Sequence, residues 1–342
     1  MSGPEAGYLL SVTDKRETDL TVAVTGPTGT FGFGLIPLLE SDPRVSRVVG
    51  IARRPFDPGE QGWSKMEYRQ GDVQDREALH QAFRGSDVVV HLAFLIVGGS
   101  RDKTRAINVE GTLNALAAAR EAGVRRFVYA SSIAAYGFHA DNPVGIVEDW
   151  PTRPADVLFY AQEKAELEHL LRAEAARPGS PELYLLRPPI VLGPHAVGGK
   201  LDLPPGVQPL LSLLLKLPQV LPLPVAVPDL PLQFVHEADV GRALLQCVVA
   251  AGPPGAYNIA ADDLLSAVDV ARELGLLAVG LPGAPAHAAA RAVSRIPGLP
   301  SVAQWVEALA HPAVMDTTKA RTELGWQPQI SARDALRESL GR

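Results

Sequence analysis

One run constrains the fold of this chain more than any other. The apolar stretch Leu20-Thr21-Val22-Ala23-Val24-Thr25 leads directly into Gly26-Pro27-Thr28-Gly29-Thr30-Phe31-Gly32, and a helical pattern containing Leu35-Ile36-Pro37-Leu38-Leu39 follows. A strand that breaks into a glycine turn and then opens a helix is the entry to a layered α/β sheet. Glycines let the backbone turn tightly and approach a pyrophosphate, and the helix N-terminus supplies free N–H groups and partial positive charge. Such a turn can be purely structural, but the strand before it and the helix after it favour a cofactor. Further short apolar runs lie within residues 45–52 and at 66–70, 87–92, 126–130 and 182–188, with a long Ala- and Leu-rich helix at 108–122. Near-continuous apolar strands separated by helices predict a doubly wound parallel sheet covered on both faces.

Composition narrows the function. The chain has 342 residues, 20% of them charged, and a net charge of -6 with basic residues scattered, so nucleic-acid binding has no footprint. The single Cys247 excludes an internal disulfide and a thiolate zinc site, and its apolar neighbours suit a small buried hydrophobe. No metal-ligand spacing is present, and no metal is expected. Residues 210–227 are the most apolar, but Lys216, Pro218, Pro222 and Pro224, with Pro228 just beyond, argue against a membrane span. Residues 1–19 read as a polar lead-in without a signal core, and a cytoplasmic protein is expected. Residues 20–192 are assigned to the dinucleotide-binding domain. Residues 193–342 form mainly a smaller C-terminal substrate-binding lobe, with segments near 233–260 returning to the core. Leucine- and proline-rich residues 201–232 and alanine- and proline-rich residues 280–300 would build that lobe.

Tyr160-Ala161-Gln162-Glu163-Lys164 puts a phenol and an ammonium on one helical face. A lysine beside a tyrosine stabilises the phenolate and is expected to lower the tyrosine's pKa toward neutrality, which suits proton transfer in an alcohol–carbonyl interconversion. An exposed helix would show the same spacing by chance. The second strand ends Gly50-Ile51-Ala52-Arg53-Arg54 without a carboxylate. Arginines suit a 2′-phosphate, so NADP is favoured and NAD stays open; Arg53 and Arg54 as plain surface cations, or one stacked on an adenine, are the alternatives.

Taken together, these segments resemble the extended short-chain dehydrogenase/reductases, the NAD-dependent epimerase/dehydratase family. Gly26 through Gly32 resembles T-G-x-x-G-x-x-G, Gly71-Asp72-Val73 the turn after the third strand, and His91-Leu92-Ala93 the end of the fourth. Asn108-Val109-Glu110-Gly111-Thr112, Ser131-Ser132 with Tyr136-Gly137, Tyr160 with Lys164, Arg187-Pro188-Pro189, residues 234–240, Tyr257-Asn258-Ile259 and residues 324–328 continue the likeness in order. The resemblance implies a Rossmann fold and a catalytic set of Ser132 on the substrate oxygen, Tyr160 for the proton, and Lys164 on the ribose and the phenol. It implies cofactor contacts at Gly26, Gly29, Thr30, Phe31, Gly32, Arg53, Arg54, Asp72, Val73, Leu92, Ala93, Asn108, Tyr160, Lys164 and Pro189. It also implies a homodimer through the helices at 108–122 and 160–171. Asn108 is equally readable as a helix cap. The Ser131 hydroxyl is expected to satisfy backbone, His91 and His236 to be structural, and Glu148-Asp149 to lie in a loop.

Two departures bear on the substrate. Nucleotide-sugar enzymes of this group commonly carry an arginine just before the segment matching Phe234, where this chain has leucine, Leu232, in the expected place, and Phe94 through Val97 offer no polar handle. Phe94, Ser132 and Leu232 are therefore assigned to a pocket for a fairly apolar small molecule. The expected reaction is hydride transfer between NADP, or NAD, and a carbonyl or secondary alcohol. A nucleotide-sugar 4-epimerase or dehydratase using the same triad, and a non-catalytic NADP-sensing protein, are the alternatives.

Overall fold

A computed structural model describes residues 18–96, 101–156, 158–196, 225–281, 311 and 313–342. Seven parallel strands form one sheet: β1 (Leu20–Thr25), β2 (Val45–Ala52), β3 (Met66–Gln70), β4 (Val88–His91), β5 (Arg126–Ala130), β6 (Glu182–Arg187) and β7 (Gly255–Asn258). Their spatial order is β3-β2-β1-β4-β5-β6-β7, which is the Rossmann arrangement. β4 and β5 are buried at every residue, as strands covered on both faces must be.

Alternation along β1 sorts the two faces. Val22 and Val24 pack with α1 (Thr30–Ser41) and a later helix at Glu237–Val248, which includes Cys247. Ala23 points the other way, into a layer made with α2 (Arg76–Phe83), α3 (Gly111–Glu121) and α4 (Phe159–Ala175). The helix at Glu237–Val248, α5, crosses α1 at two glycines: a Cβ on Gly241 would lie 2.0 Å from the Gly34 carbonyl oxygen. That crossing has no room for any side chain.

The helix expected from Asn108 is not continuous. A five-residue helical piece, Arg101–Arg105, runs into a π-helical turn, Ala106–Glu110, before α3 begins at Gly111. Gly111 is required there, since a Cβ would meet the Val73 side chain at 2.5 Å.

Beyond β6 the chain builds a small second layer. Ile190–Leu192 pairs with Phe234–His236, and Pro231–Leu232 pairs with Leu265–Ser266. Leu232 packs there with Phe234, Leu265 and Leu336. Leu232, assigned from sequence to the substrate pocket, is partly buried here against this small cluster. Most of the leucine-rich stretch, including Lys216, and residues 282–310 lie outside the described residues. No described helix is long and apolar enough to cross a membrane.

Candidate active site

β1, β4 and β5 are neighbours, so their C-terminal ends carry the glycine turn, residues 92–94 and Ser132 to one edge of the sheet. Gly26 takes φ +71° and approaches the next strand closely; a Cβ there would lie 3.0 Å from the Ala93 nitrogen. A Cβ on Gly32 would meet the Pro27 carbonyl oxygen at 2.0 Å. Gly29 sits at the N-cap of α1 with no side-chain hydrogen bond, and the first turn carries no acid. The first-turn N–H groups are therefore left without a side-chain cap, which is the donor set that a pyrophosphate needs. The Thr30 hydroxyl donates to the His195 carbonyl at 2.8 Å, and Phe31 packs against the core. What those two can offer an anion is their backbone.

Just past β2, Arg53 and Arg54 are exposed, with their guanidinium groups unpaired among the described residues. Their backbone is pinned: Gln70 donates to the Arg53 carbonyl at 2.9 Å and Tyr68 to that of Arg54. Asp72 accepts from the Gln74 amide at 3.0 Å, folding the turn after β3, and Val73 is buried.

Ser132 follows β5 and accepts from the Ala134 amide at 3.1 Å, and its hydroxyl is near enough to the Tyr160 phenol to oppose that phenol's upward shift. Tyr160 is in the first turn of α4, and Lys164 lies one turn on, 3% exposed. The three residues named from sequence therefore meet. The expected electrostatics do not hold. Burial raises the Tyr160 phenol to about 12, with the Ser132 hydrogen bond opposing, and burial lowers Lys164 to about 7, with Glu168 and Glu163 opposing. The Lys164 ammonium donates to the Tyr129 hydroxyl at 2.9 Å and the Ala130 carbonyl at 2.8 Å, and its Nζ stands 5.9 Å from the Tyr160 ring centre. Desolvation, which disfavours the charged form of both groups, is the largest cause for each.

A buried network escaped the sequence reading. Glu168, one further turn along the Tyr160–Lys164 face, accepts from Ser131 Oγ at 2.6 Å and Arg187 Nε at 2.8 Å, and Arg187 donates to the Tyr136 hydroxyl at 2.6 Å. Burial pushes the Glu168 carboxyl up, but Arg187 and Ser131 outweigh it and hold it below the ordinary range. The Ser131 hydroxyl thus serves this carboxylate rather than backbone. Its available signal was the i+4 spacing of Lys164 and Glu168.

Asn108 caps no helix. Its Oδ1 accepts from the Leu95 amide at 2.7 Å, and its Nδ2 donates to the Leu95 carbonyl at 2.9 Å and to Glu163 Oε2 at 2.8 Å. That amide clasps the loop after β4 and has both donors occupied. Pro189 is buried just past β6, and the Pro188 carbonyl accepts from Ile133 at 2.9 Å, tying β6 to the Ser132 turn. His91 lies between the Thr25 and Thr112 hydroxyls at 2.8 and 3.0 Å, and His236 accepts from the Ala238 amide at the start of α5. Both are structural, as read.

The NAD dependent epimerase/dehydratase family model matches residues 22–260. An uncharacterized protein of Mycobacterium tuberculosis is 28% identical over 328 residues, 92% of this chain and 82% of its own length. Sterol demethylase protein B of Methylococcus capsulatus is 32% identical over 179 residues, 51% of this chain and 52% of its own. MoeE5, solved in complex with UDP-glucuronic acid and NAD, shares the fold with a TM-score of 0.68 at 23% identity, covering 94% of this chain and 98% of its own. The family match takes in the glycine turn, Ser132, Tyr160 and Lys164, and β7, and the chain is an enzyme of the NAD-dependent epimerase/dehydratase family, the extended short-chain dehydrogenase/reductases.

Proposed function

We propose that this enzyme transfers hydride between a nicotinamide dinucleotide, NADP in preference to NAD, and a carbonyl or secondary alcohol of a fairly apolar substrate. The approach of the Ser132 hydroxyl to the Tyr160 phenol, with Lys164 buried one turn along the same helix, carries the reading. The uncapped N-terminus of α1 and the Gly26–Gly32 turn would hold the diphosphate, and Arg53 and Arg54 a 2′-phosphate. Asp72, Val73, Leu92, Ala93 and Pro189 would line the remaining length, and Lys164 would hold the ribose. A dinucleotide bound there supplies or accepts the hydride.

The chain's own groups handle the proton. Ser132 polarises the substrate oxygen, and Tyr160 donates to it or takes from it. With the phenol near 12 it is protonated at neutral pH, which suits donation to a carbonyl being reduced.

Support for an apolar substrate comes from the site walls. Phe94 meets Tyr160 edge-on at 5.6 Å. Gln233 exchanges hydrogen bonds with the Met315 backbone at 2.8 and 2.9 Å, so the position before Phe234 offers no phosphate clamp. The likeness to sterol demethylase protein B agrees. The second reading, a nucleotide-sugar 4-epimerase, draws on MoeE5, a likeness of fold. A homodimer through α3 and α4 is the assembly that the family resemblance implies.

The test is turnover of the purified protein with NADPH and NADH on apolar ketones, sterol ketones included, and on UDP- and dTDP-sugars. Ketone reduction without sugar turnover supports the proposal; sugar turnover without ketone reduction overturns it.

A further inference from the structure

The Lys164 ammonium has three N–H donors. Two go to the Tyr129 hydroxyl and the Ala130 carbonyl. The third direction is covered by an aromatic face: the Phe94 ring centre lies 3.7 Å from Nζ, well within cation–π range. The same ring stands at 88° to that of Tyr160. A buried ammonium with two oxygen acceptors and a π face has no donor left over. The Phe94 ring and a ribose hydroxyl therefore compete for the same side of Lys164.

The backbone around Phe94 is fixed while its side chain is not built into a strand or helix. On one side the Leu92 amide donates to the Thr25 carbonyl at 3.1 Å; on the other the Asn108 amide grips both the N–H and the C=O of Leu95. Movement at this position is a rotation of the side chain alone. Phe94 is only partly buried, so the ring has somewhere to go.

We propose that Phe94 is a displaceable plug on Lys164, which the nicotinamide ribose must push aside and which then forms one wall of the substrate site. This rests on the reading of Lys164 as the ribose anchor. The plug makes Phe94 a determinant of both cofactor affinity and substrate shape. It also gives the desolvated lysine a partner when no ribose is bound.

Two measurements on wild type, Phe94→Leu and Phe94→Ala test it. Leucine keeps apolar bulk without a π face, and it serves if the alanine variant unfolds. The first measurement is the rate of Lys164 methylation by formaldehyde and cyanoborohydride without dinucleotide, resolved by mass spectrometry. The second is the Kd for NADPH and NADH by fluorescence titration. Expected are labelling several-fold faster and cofactor binding about tenfold tighter in the variants, the scale of one desolvated cation–π contact. Unchanged labelling and unchanged Kd overturn the plug while leaving the cofactor reading intact. Weaker cofactor binding in the variants also overturns it, because the ring would then be a fixed wall of the cofactor site. If no form of the protein binds either dinucleotide, the cofactor reading falls and the plug falls with it, whatever the labelling shows.

Discussion

The Lys164 ammonium lies 2.9 Å from the hydroxyl of Tyr129, a buried phenol that burial holds well above its ordinary pKa and therefore neutral. Tyr129 sits on β5, two residues before the Ser131-Ser132 pair, so the strand that delivers the serine also fixes the lysine. Burial is the largest influence on which form of the lysine is present, and the Tyr129 hydroxyl is one of the two oxygens that its ammonium reaches.

Lys164 is lowered to about 7, mainly by burial, so its charged form is lost as pH rises through neutrality. Tyr129→Phe removes one acceptor and disfavours the ammonium further. The alkaline limb of the kcat/KM profile should then move to lower pH, by about one unit for a hydrogen bond to a charged group. A limb that stays in place, or moves up, would mean that Tyr129 only packs.

If Tyr160 transfers the proton, Tyr160→Phe should lower kcat by roughly 10²–10⁴-fold while leaving the dinucleotide Kd within about twofold. Single-turnover rates on whichever ketone is reduced, together with a binding titration, separate the two effects. Retention of a large fraction of kcat would move the acid role elsewhere.

Arg53 and Arg54 stand exposed, and unpaired among the described residues, just past the end of β2, a strand end that carries no carboxylate in the sequence. Replacing both by alanine should weaken NADPH binding by about 10–100-fold and leave NADH nearly unchanged, because charge-assisted contacts to a 2′-phosphate are lost only with the first cofactor. Equal losses for both would place the arginines on the adenine or the diphosphate instead.

The strands, the glycine turn and the meeting of Ser132 with Tyr160 were legible because each follows from local pattern plus one rule of sheet topology. β3 and β5 fall on the residues assigned from sequence to the third and fifth strands. What escaped depends on residues far apart in the chain. Nothing local says that Gly241 must face Gly34, that Asn108 will clasp Leu95, or that Arg187 will neutralise Glu168. The phenol's pKa was misjudged for the same reason. The spacing shows that a lysine is near, but burial comes from surroundings such as Phe94 and Tyr129, contributed by two other segments.

Glu168 and Arg187 are 0% and 1% exposed and neutralise one another. Glu168→Ala leaves the guanidinium buried without its partner, and should cost about 3–5 kcal/mol of stability by urea unfolding. Replacing both by methionine removes the uncompensated charge and should recover much of that loss. A double variant no more stable than the single one would show that the pair's hydrogen bonds to Ser131 and Tyr136 matter more than its charge balance.

His91 gives the fold a defined acid sensitivity. It is fully buried between Thr25 and Thr112, and burial, helped by the nearby Lys164 charge, lowers it to about 3. The unfolded chain takes up a proton near 6.5, so between about 6.5 and 3 the unfolded state binds more protons than the folded one. Stability from this group is therefore complete above about 6.5 and drains away as pH falls, at up to ~1.4 kcal/mol per unit. His91→Gln keeps hydrogen-bonding capacity between the two threonines but has no proton to gain. Urea unfolding at several points from pH 7 to pH 4.5 should show the variant less stable at neutrality yet flatter toward acid. Parallel slopes for the two proteins would mean that other groups, such as the buried Glu168, set the acid limit of the fold.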